Sequence, residues 1–164
     1  MPIQDFETAS GNRIMAGKKG LVYSSTGQIH FVNAPVKGID QNLWACLKIA
    51  VDQTGLFIRV NSVDTGAHVP GSRHYQGRAV DIDQVVRAGV DLGRLPASLS
   101  SANLTNREAA KFYRYLRENG FHIGEGRPWP AVIWGPPHSH INPTSINHST
   151  HIHVSLPRNV ATHP

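Results

Sequence analysis

An α+β fold with a largely antiparallel central sheet and flanking helices is what the order of elements in this chain predicts. Strand-like segments come as a pair, then a helix, then more strands, a second helix and further strands. The regular strand–helix–strand alternation that builds a parallel sheet is missing. At 164 residues the chain suits one compact domain around a single core. Its 40% hydrophobic and 16% charged residues are those of a globular chain, while 15 Gly and 11 Pro predict many turns and substantial loops. We divide it into an N-terminal segment, 1–35, packed on a main domain, 36–164.

The N-terminal segment holds a strand pair, Leu21-Val22-Tyr23 and Ile29-His30-Phe31-Val32, with Ser24-Ser25-Thr26-Gly27 as the turn between. Asp40 to Thr54 reads as a helix: Leu43, Leu47, Ala50 and Val51 recur on one face and Gly55 closes it. Phe57-Ile58-Arg59-Val60 has strand character, and Gly66 to Gly71 forms a loop. Ala79-Val80-Asp81-Ile82-Asp83 alternates as a half-buried strand does, which sends Asp81 and Asp83 to the same side. Thr105 and Glu108 make a capping box for a second helix running through Asn119 and ending at Gly120. Phe121-His122-Ile123 and Ala131-Val132-Ile133-Trp134 follow, then a long loop rich in Pro, His and Asn, then a last strand from His151 to Leu156. No internal repeat interrupts this order.

A formal charge of +5 favours an anionic partner, for which nucleic acid, a membrane surface and an acidic cell wall all qualify. No basic run with interleaved aromatics and no phosphate-binding or dinucleotide motif appears, so no nucleic-acid partner is expected. Cys46 is the single cysteine, which removes internal disulfides and thiolate-rich zinc sites; within Leu43-Trp44-Ala45-Cys46-Leu47 it reads as a buried small hydrophobe. No stretch is long enough to cross a bilayer, and Met1 to Glu7 lacks the basic-then-apolar order of a secretory signal. A monomer is the default expectation.

Chemistry concentrates in two places: Ser72-Arg73-His74-Tyr75-Gln76-Gly77-Arg78-Ala79-Val80-Asp81, and His151-Ile152-His153 near the chain end. A His, an Asp and a second His are the ligand set of a divalent-metal centre that keeps one position open, the arrangement of catalytic zinc. His151 and His153 share a strand face, so one can bind a metal while the other meets water or a leaving group. Gly77 lets the chain turn between His74 and Asp81, Ser72 can bond the loop backbone, and Ala79 leaves room by the metal.

The first segment matches at every defined position the Ser-x-His-x-x-Gly-x-Ala-x-Asp signature of the zinc peptidases that include lysostaphin-type enzymes, D-Ala-D-Ala metallopeptidases and the hedgehog domain. His151-Ile152-His153 resembles that group's closing His-x-His. Val132-Ile133-Trp134, a loop, and Asn147 to Ser155 resemble the C-terminal half of peptidoglycan carboxypeptidase and endopeptidase domains; in element order the likeness runs from about Asp40 to Leu156. It implies a hedgehog/D-Ala-D-Ala-peptidase-like fold and a zinc peptidase domain over 36–164. It implies one Zn2+ held by His74, Asp81 and His153, with His151 as catalytic base or proton donor. His148 matches a further active-site histidine of the penicillin-insensitive murein endopeptidases, its other reading being a solvated loop residue; His138 and His140 read as rim residues.

The implied activity is hydrolysis of a peptide bond in bacterial peptidoglycan, in a stem peptide or a cross-link, at the cell wall. With no secretory signal in view, a phage lysin released through a pore, or a wall-degrading enzyme carried in the virion, is the expected setting. The alternative is a non-catalytic, zinc-stabilised wall-binding or virion structural module of the same fold. One departure stands out: many carboxypeptidase relatives carry an upstream Ser-Gly-Tyr-Arg-like segment whose Arg serves the oxyanion, and the matching Asn61-Ser62-Val63-Asp64-Thr65-Gly66 has no Arg. Arg59, Arg73 or the zinc itself are the substitutes in reach, and Asp83 is a candidate to orient a ligating imidazole.

Overall fold

The structure, a computed structural model, describes residues 13–14, 22–24, 28–33, 35–95, 99, 107–125 and 129–157. Among these the chain forms β1 (Arg13–Ile14), β2 (Val22–Ser24), β3 (Gln28–Phe31), β4 (Ile39–Asp40), α1 (Gln41–Thr54), β5 (Leu56–Ser62), β6 (Ala79–Arg87), α2 (Arg107–Glu118), β7 (Ala131–Gly135) and β8 (His148–Ser155). One six-stranded sheet has the order β2-β3-β5-β6-β8-β7, and β1 pairs with β4 apart from it.

The fold is α+β, as expected, but the sheet is mixed. β3 runs parallel to β5, while the other pairings are antiparallel. A parallel pair needs a crossover, and α1 supplies it. β3 and β5, with α1 in the connection between them, thus form one βαβ unit that the element order did not disclose. The expected hairpin is present as β2 and β3, with Tyr23 opposite Ile29; its turn at 25–27 lies outside the described residues, as does the Thr105 cap of α2.

Each helix is bounded by chemistry. The Asp40 carboxylate accepts from the backbone N–H of Asn42 at 2.8 Å and of Leu43 at 3.3 Å, satisfying two of the donors that a helix start leaves open. Gly55 takes a left-handed conformation and returns its N–H to the Val51 carbonyl. Both helices lie on the same side of the sheet, α1 against β3 and β5, α2 against β6 and β7, and they touch each other. The core between them joins Ile29, Phe31, Ile58, Val60, Ile82, Ile152 and Val154 to Leu43, Leu47, Phe112 and Leu116, with Cys46 buried among them. Each such side chain, fully buried, contributes about 1.5–3 kcal/mol. Ile29 and Phe31 show that the N-terminal segment is part of this core. Among the described residues no helix is long and apolar enough to cross a membrane.

Because strands alternate, filling one sheet face with apolar side chains leaves the other face to Arg59, Asp81, Asp83, His151 and His153. The β5–β6 ladder slips between Arg59 and Val60 and again before Ser62, and the β7–β8 ladder slips between Ile133 and Gly135. These irregularities twist the strands beside the polar face. β8 consequently begins at His148, three residues earlier than expected, and brings that histidine into the strand.

The metal-motif loop is braced from the chain's beginning. The Arg13 guanidinium pairs with Asp64 at 2.9 Å and donates to the Tyr75 carbonyl, while Asp64 also accepts from the backbone N–H of Val36 and Lys37. Asp40 N–H donates to the Gly77 carbonyl at 2.9 Å. Gly77 has a φ of 68°, and a Cβ there would lie 2.8 Å from the Gly38 carbonyl oxygen. Gly77→Ala should therefore cost at least about 1–2 kcal/mol for the left-handed backbone alone. Urea unfolding will read it, and an unchanged midpoint would refute the constraint.

Candidate metal centre

Ser72 starts the turn that carries His74. Its Oγ accepts from the His74 N–H at 3.2 Å, Arg73–Gln76 make one 3-10 turn, and Gly77 in the left-handed region returns its N–H to the His74 carbonyl. Strand β6 then starts at Ala79. His74 is buried, and its Nδ1–H donates to the Val63 carbonyl at 2.6 Å. That bond leaves the lone pair on Nε2, which faces Asp81 Oδ1 at 3.4 Å.

The antiparallel register sets Asp81 of β6 directly opposite His153 of β8. His153 Nδ1 lies 3.2 Å from the same Asp81 oxygen, and His151 Nε2 lies 3.8 Å from it. Three imidazole nitrogens thus converge on one carboxylate oxygen. The two members of the His-x-His differ in access: the His153 side chain is 7% exposed and that of His151 27%. His148, expected either in the site or solvated on a loop, is buried beside it, its ring 5.0 Å from that of His151 and 5.7 Å from that of His153. Its Nδ1–H is directed to the Ile146 carbonyl at 3.1 Å. His138 and His140 are exposed on the preceding loop, which Asn142 organises by donating to Gly135 and Ile146 and accepting from Thr144.

Two neighbours of the centre had no signature in the sequence. The His68 ring stacks on His74 with centroids 3.8 Å apart and planes within 7°. It reaches this position on a loop between two left-handed glycines, Gly66 and Gly71, and is held by its Nε2 contact with the Thr65 carbonyl at 2.9 Å and by Tyr75 Oη, which bonds its backbone at both N–H and C=O. His68, His74 and Asp81 each bring a ligand atom within 4.8 Å of the others and could hold a metal ion. The second neighbour is Glu125, whose carboxylate accepts from His153 Nε2 and pairs with Arg73 Nε at 3.2 Å.

Asp83 does not orient an imidazole. It is buried in a two-point pair with Arg59, at 2.8 and 3.3 Å, while Arg59 Nη1 donates to the carbonyls of Leu92 and Leu95. Arg73 is likewise engaged, with Glu125, Ser155 Oγ and the Trp129 carbonyl. Both arginines suggested as substitutes for the missing upstream one are thus turned to intramolecular partners.

The charges reinforce one another. Burial pushes the Asp81 carboxyl up, yet its contacts with His153 and, after it, His74 hold it well below the usual range. Burial pushes His153 down, but the Asp81 and Glu125 carboxylates win and raise it to about 9. Burial first, and then the neighbouring His153 and His151 imidazoles, lower His148 to about 4. Burial also lowers His151 and His68. A partly buried anion amid imidazoles of unequal proton affinity is a site able both to bind a cation and to exchange a proton.

Compared with known proteins, this chain matches no family model, no curated protein and no solved structure.

The two large histidine shifts act in opposite pH windows. The raised His153 contributes stability that is complete below its ordinary value of 6.5 and is lost as pH rises towards 9. The lowered His148 is neutral in the fold while the unfolded chain takes up a proton, so stability falls as pH drops from 6.5 towards 4. Protein kept in chelator should therefore have its highest thermal midpoint near pH 6.5, declining on both sides. A midpoint that stays level up to pH 9 would contradict the double carboxylate contact of His153.

Proposed function

We propose that this chain is a zinc-dependent peptidase with a hedgehog/D-Ala-D-Ala-peptidase-like fold, in which His74, Asp81 and His153 hold one Zn2+ and His151 handles the proton. Its proposed substrate is a peptide bond of bacterial peptidoglycan. The observation that carries this reading is the spacing of donors around Asp81. Zinc–ligand bonds of about 2.0–2.1 Å in a tetrahedron require ligand atoms about 3.3 Å apart, and His74 Nε2 and His153 Nδ1 stand 3.4 and 3.2 Å from Asp81 Oδ1.

His153 is preferred to His68 as the third ligand on ring geometry. An imidazole donates in its own plane, and the planes of His68 and His74 are nearly parallel and stacked. A cation in the plane of His74 lies off the plane of His68, so His68 acts as a wall against His74. The His153 ring stands at 62° to His74, its Nδ1 turned to the shared carboxylate.

Held by His74, Asp81 and His153, a zinc ion would supply Lewis-acid chemistry and an activated water near neutrality. The residues do the rest. His151, the more accessible of the pair and lowered by burial, is neutral at pH 7 and can take a proton from water and give it to a departing amine. His148, neutral beside it, keeps a second positive charge away from the centre. Arg59 and Arg73 are turned to the carboxylates of Asp83 and Glu125, so neither guanidinium is offered to charge on a substrate oxygen.

The substrate class is supported by the likeness of both motifs to wall peptidases and by the +5 charge, which suits a wall rich in carboxylates and phosphate polymers. Action at the bacterial wall is proposed on the same likeness.

His151→Ala should keep zinc and fold while lowering peptidoglycan cleavage by roughly 10²–10⁴-fold, read as new amino groups and as muropeptide masses. Cleavage at the normal rate would refute the role of His151. A wild type that binds zinc but releases nothing from any wall type would instead favour a wall-binding or virion structural module. The ligand set has its own check: His153→Ala should abolish zinc binding, whereas His68→Ala should retain it. The reverse pattern would make His68 the ligand.

A further inference from the structure

We propose that Glu125 is a positioning residue of the metal centre, holding His153 with Nδ1 turned to Asp81, and that Arg73 holds Glu125 in that task. The proposal rests on His153 being a metal ligand. An imidazole that binds a cation through Nδ1 must carry its proton on Nε2, and a carboxylate, which can only accept, enforces that tautomer when placed at Nε2. Glu125 stands there: one carboxylate oxygen receives His153 Nε2–H and the other faces Arg73 Nε at 3.2 Å.

Arg73 is fixed in turn. It is buried, and its Nη1 donates to Ser155 Oγ at 3.0 Å and to the Trp129 carbonyl at 3.1 Å. Ser155 lies two residues beyond His153 on β8, Trp129 follows Glu125 in the same connection, and Arg73 immediately precedes His74. The contacts close a ring: His74, its neighbour Arg73, Glu125, His153, Asp81 and back to His74. The two imidazoles that meet at Asp81 are therefore joined a second time behind the site. A displacement of either carries to the other through a pair of charges as well as through the shared carboxylate.

A staple for the loop is the competing explanation, and exposure separates the two. The Glu125 side chain is 33% exposed, so its charge can be hydrated without a partner and the fold does not require the pair. A carboxylate behind a ligating histidine fixes the ring and raises its basicity, and removing such a partner typically costs about 10–100-fold in metal affinity.

The test is zinc affinity by competition with a chromophoric chelator, run on the full chain with wild type and variants at the same pH. Glu125→Ala should weaken zinc by about 10–100-fold. Glu125→Gln keeps the shape and one acceptor oxygen and should weaken it less. In zinc-loaded wild type one slowly exchanging imidazole Nε2–H resonance should belong to His153, and it should vanish in Glu125→Ala. Should Glu125→Ala fail to fold, the isosteric Gln variant carries the affinity test alone. Variants that lose thermal stability but bind zinc as tightly as wild type would overturn the positioning role and leave the metal reading standing. A wild type that binds no zinc would overturn both.

Discussion

One carboxylate oxygen organises the polar half of this molecule. Asp81 sits on the strand face opposite the core, directly across the β6–β8 ladder from His153, and receives His74 from a turn that precedes its own strand. A carboxylate withdrawn from most of its water gains from surroundings that compensate it, and the five histidines gathered near it supply that compensation in graded form. His153 carries the charge, while His148 and His151 are kept neutral by burial. The same carboxylate thus sets the geometry, through the register, and the proton distribution, through its field.

Around this point the fold invests in stiffness. His74 is anchored to the Val63 carbonyl and covered by the His68 ring, and Gly77 is pressed against Gly38 where no side chain fits. The ladders slip where the polar face needs side chains that strict alternation would not supply. The apolar face shows the opposite economy: Val80, Ile82, Ile152 and Val154 keep regular alternation and pack under the helices.

What could be read from sequence was whatever is encoded over a short span. His74 and Asp81 are seven residues apart with Gly77 between, and His151 and His153 follow the two-residue period of a strand, so local chemistry brings them into view. The α1 boundaries were legible for the same reason, since Asp40 and Gly55 are local caps. Glu125 and His68 were not, because each arrives from a connection with no periodic pattern and meets its partner through tertiary placement: Glu125 is 28 residues from His153. The parallel pairing of β3 with β5 was hidden by the brevity of β3, and Asp83 was misread because its partner Arg59 lies on a neighbouring strand, 24 residues earlier.

The brace at Arg13 carries a consequence for how the chain can be divided. A boundary at residue 36 follows the sequence likeness, yet the guanidinium of Arg13 grips Asp64 and the Tyr75 carbonyl, and Ile29 and Phe31 fill the core beneath α1. The first strands are thus masonry for the cation-binding turn, and a fragment cut at that boundary would keep every motif while losing the wall on which the motif leans.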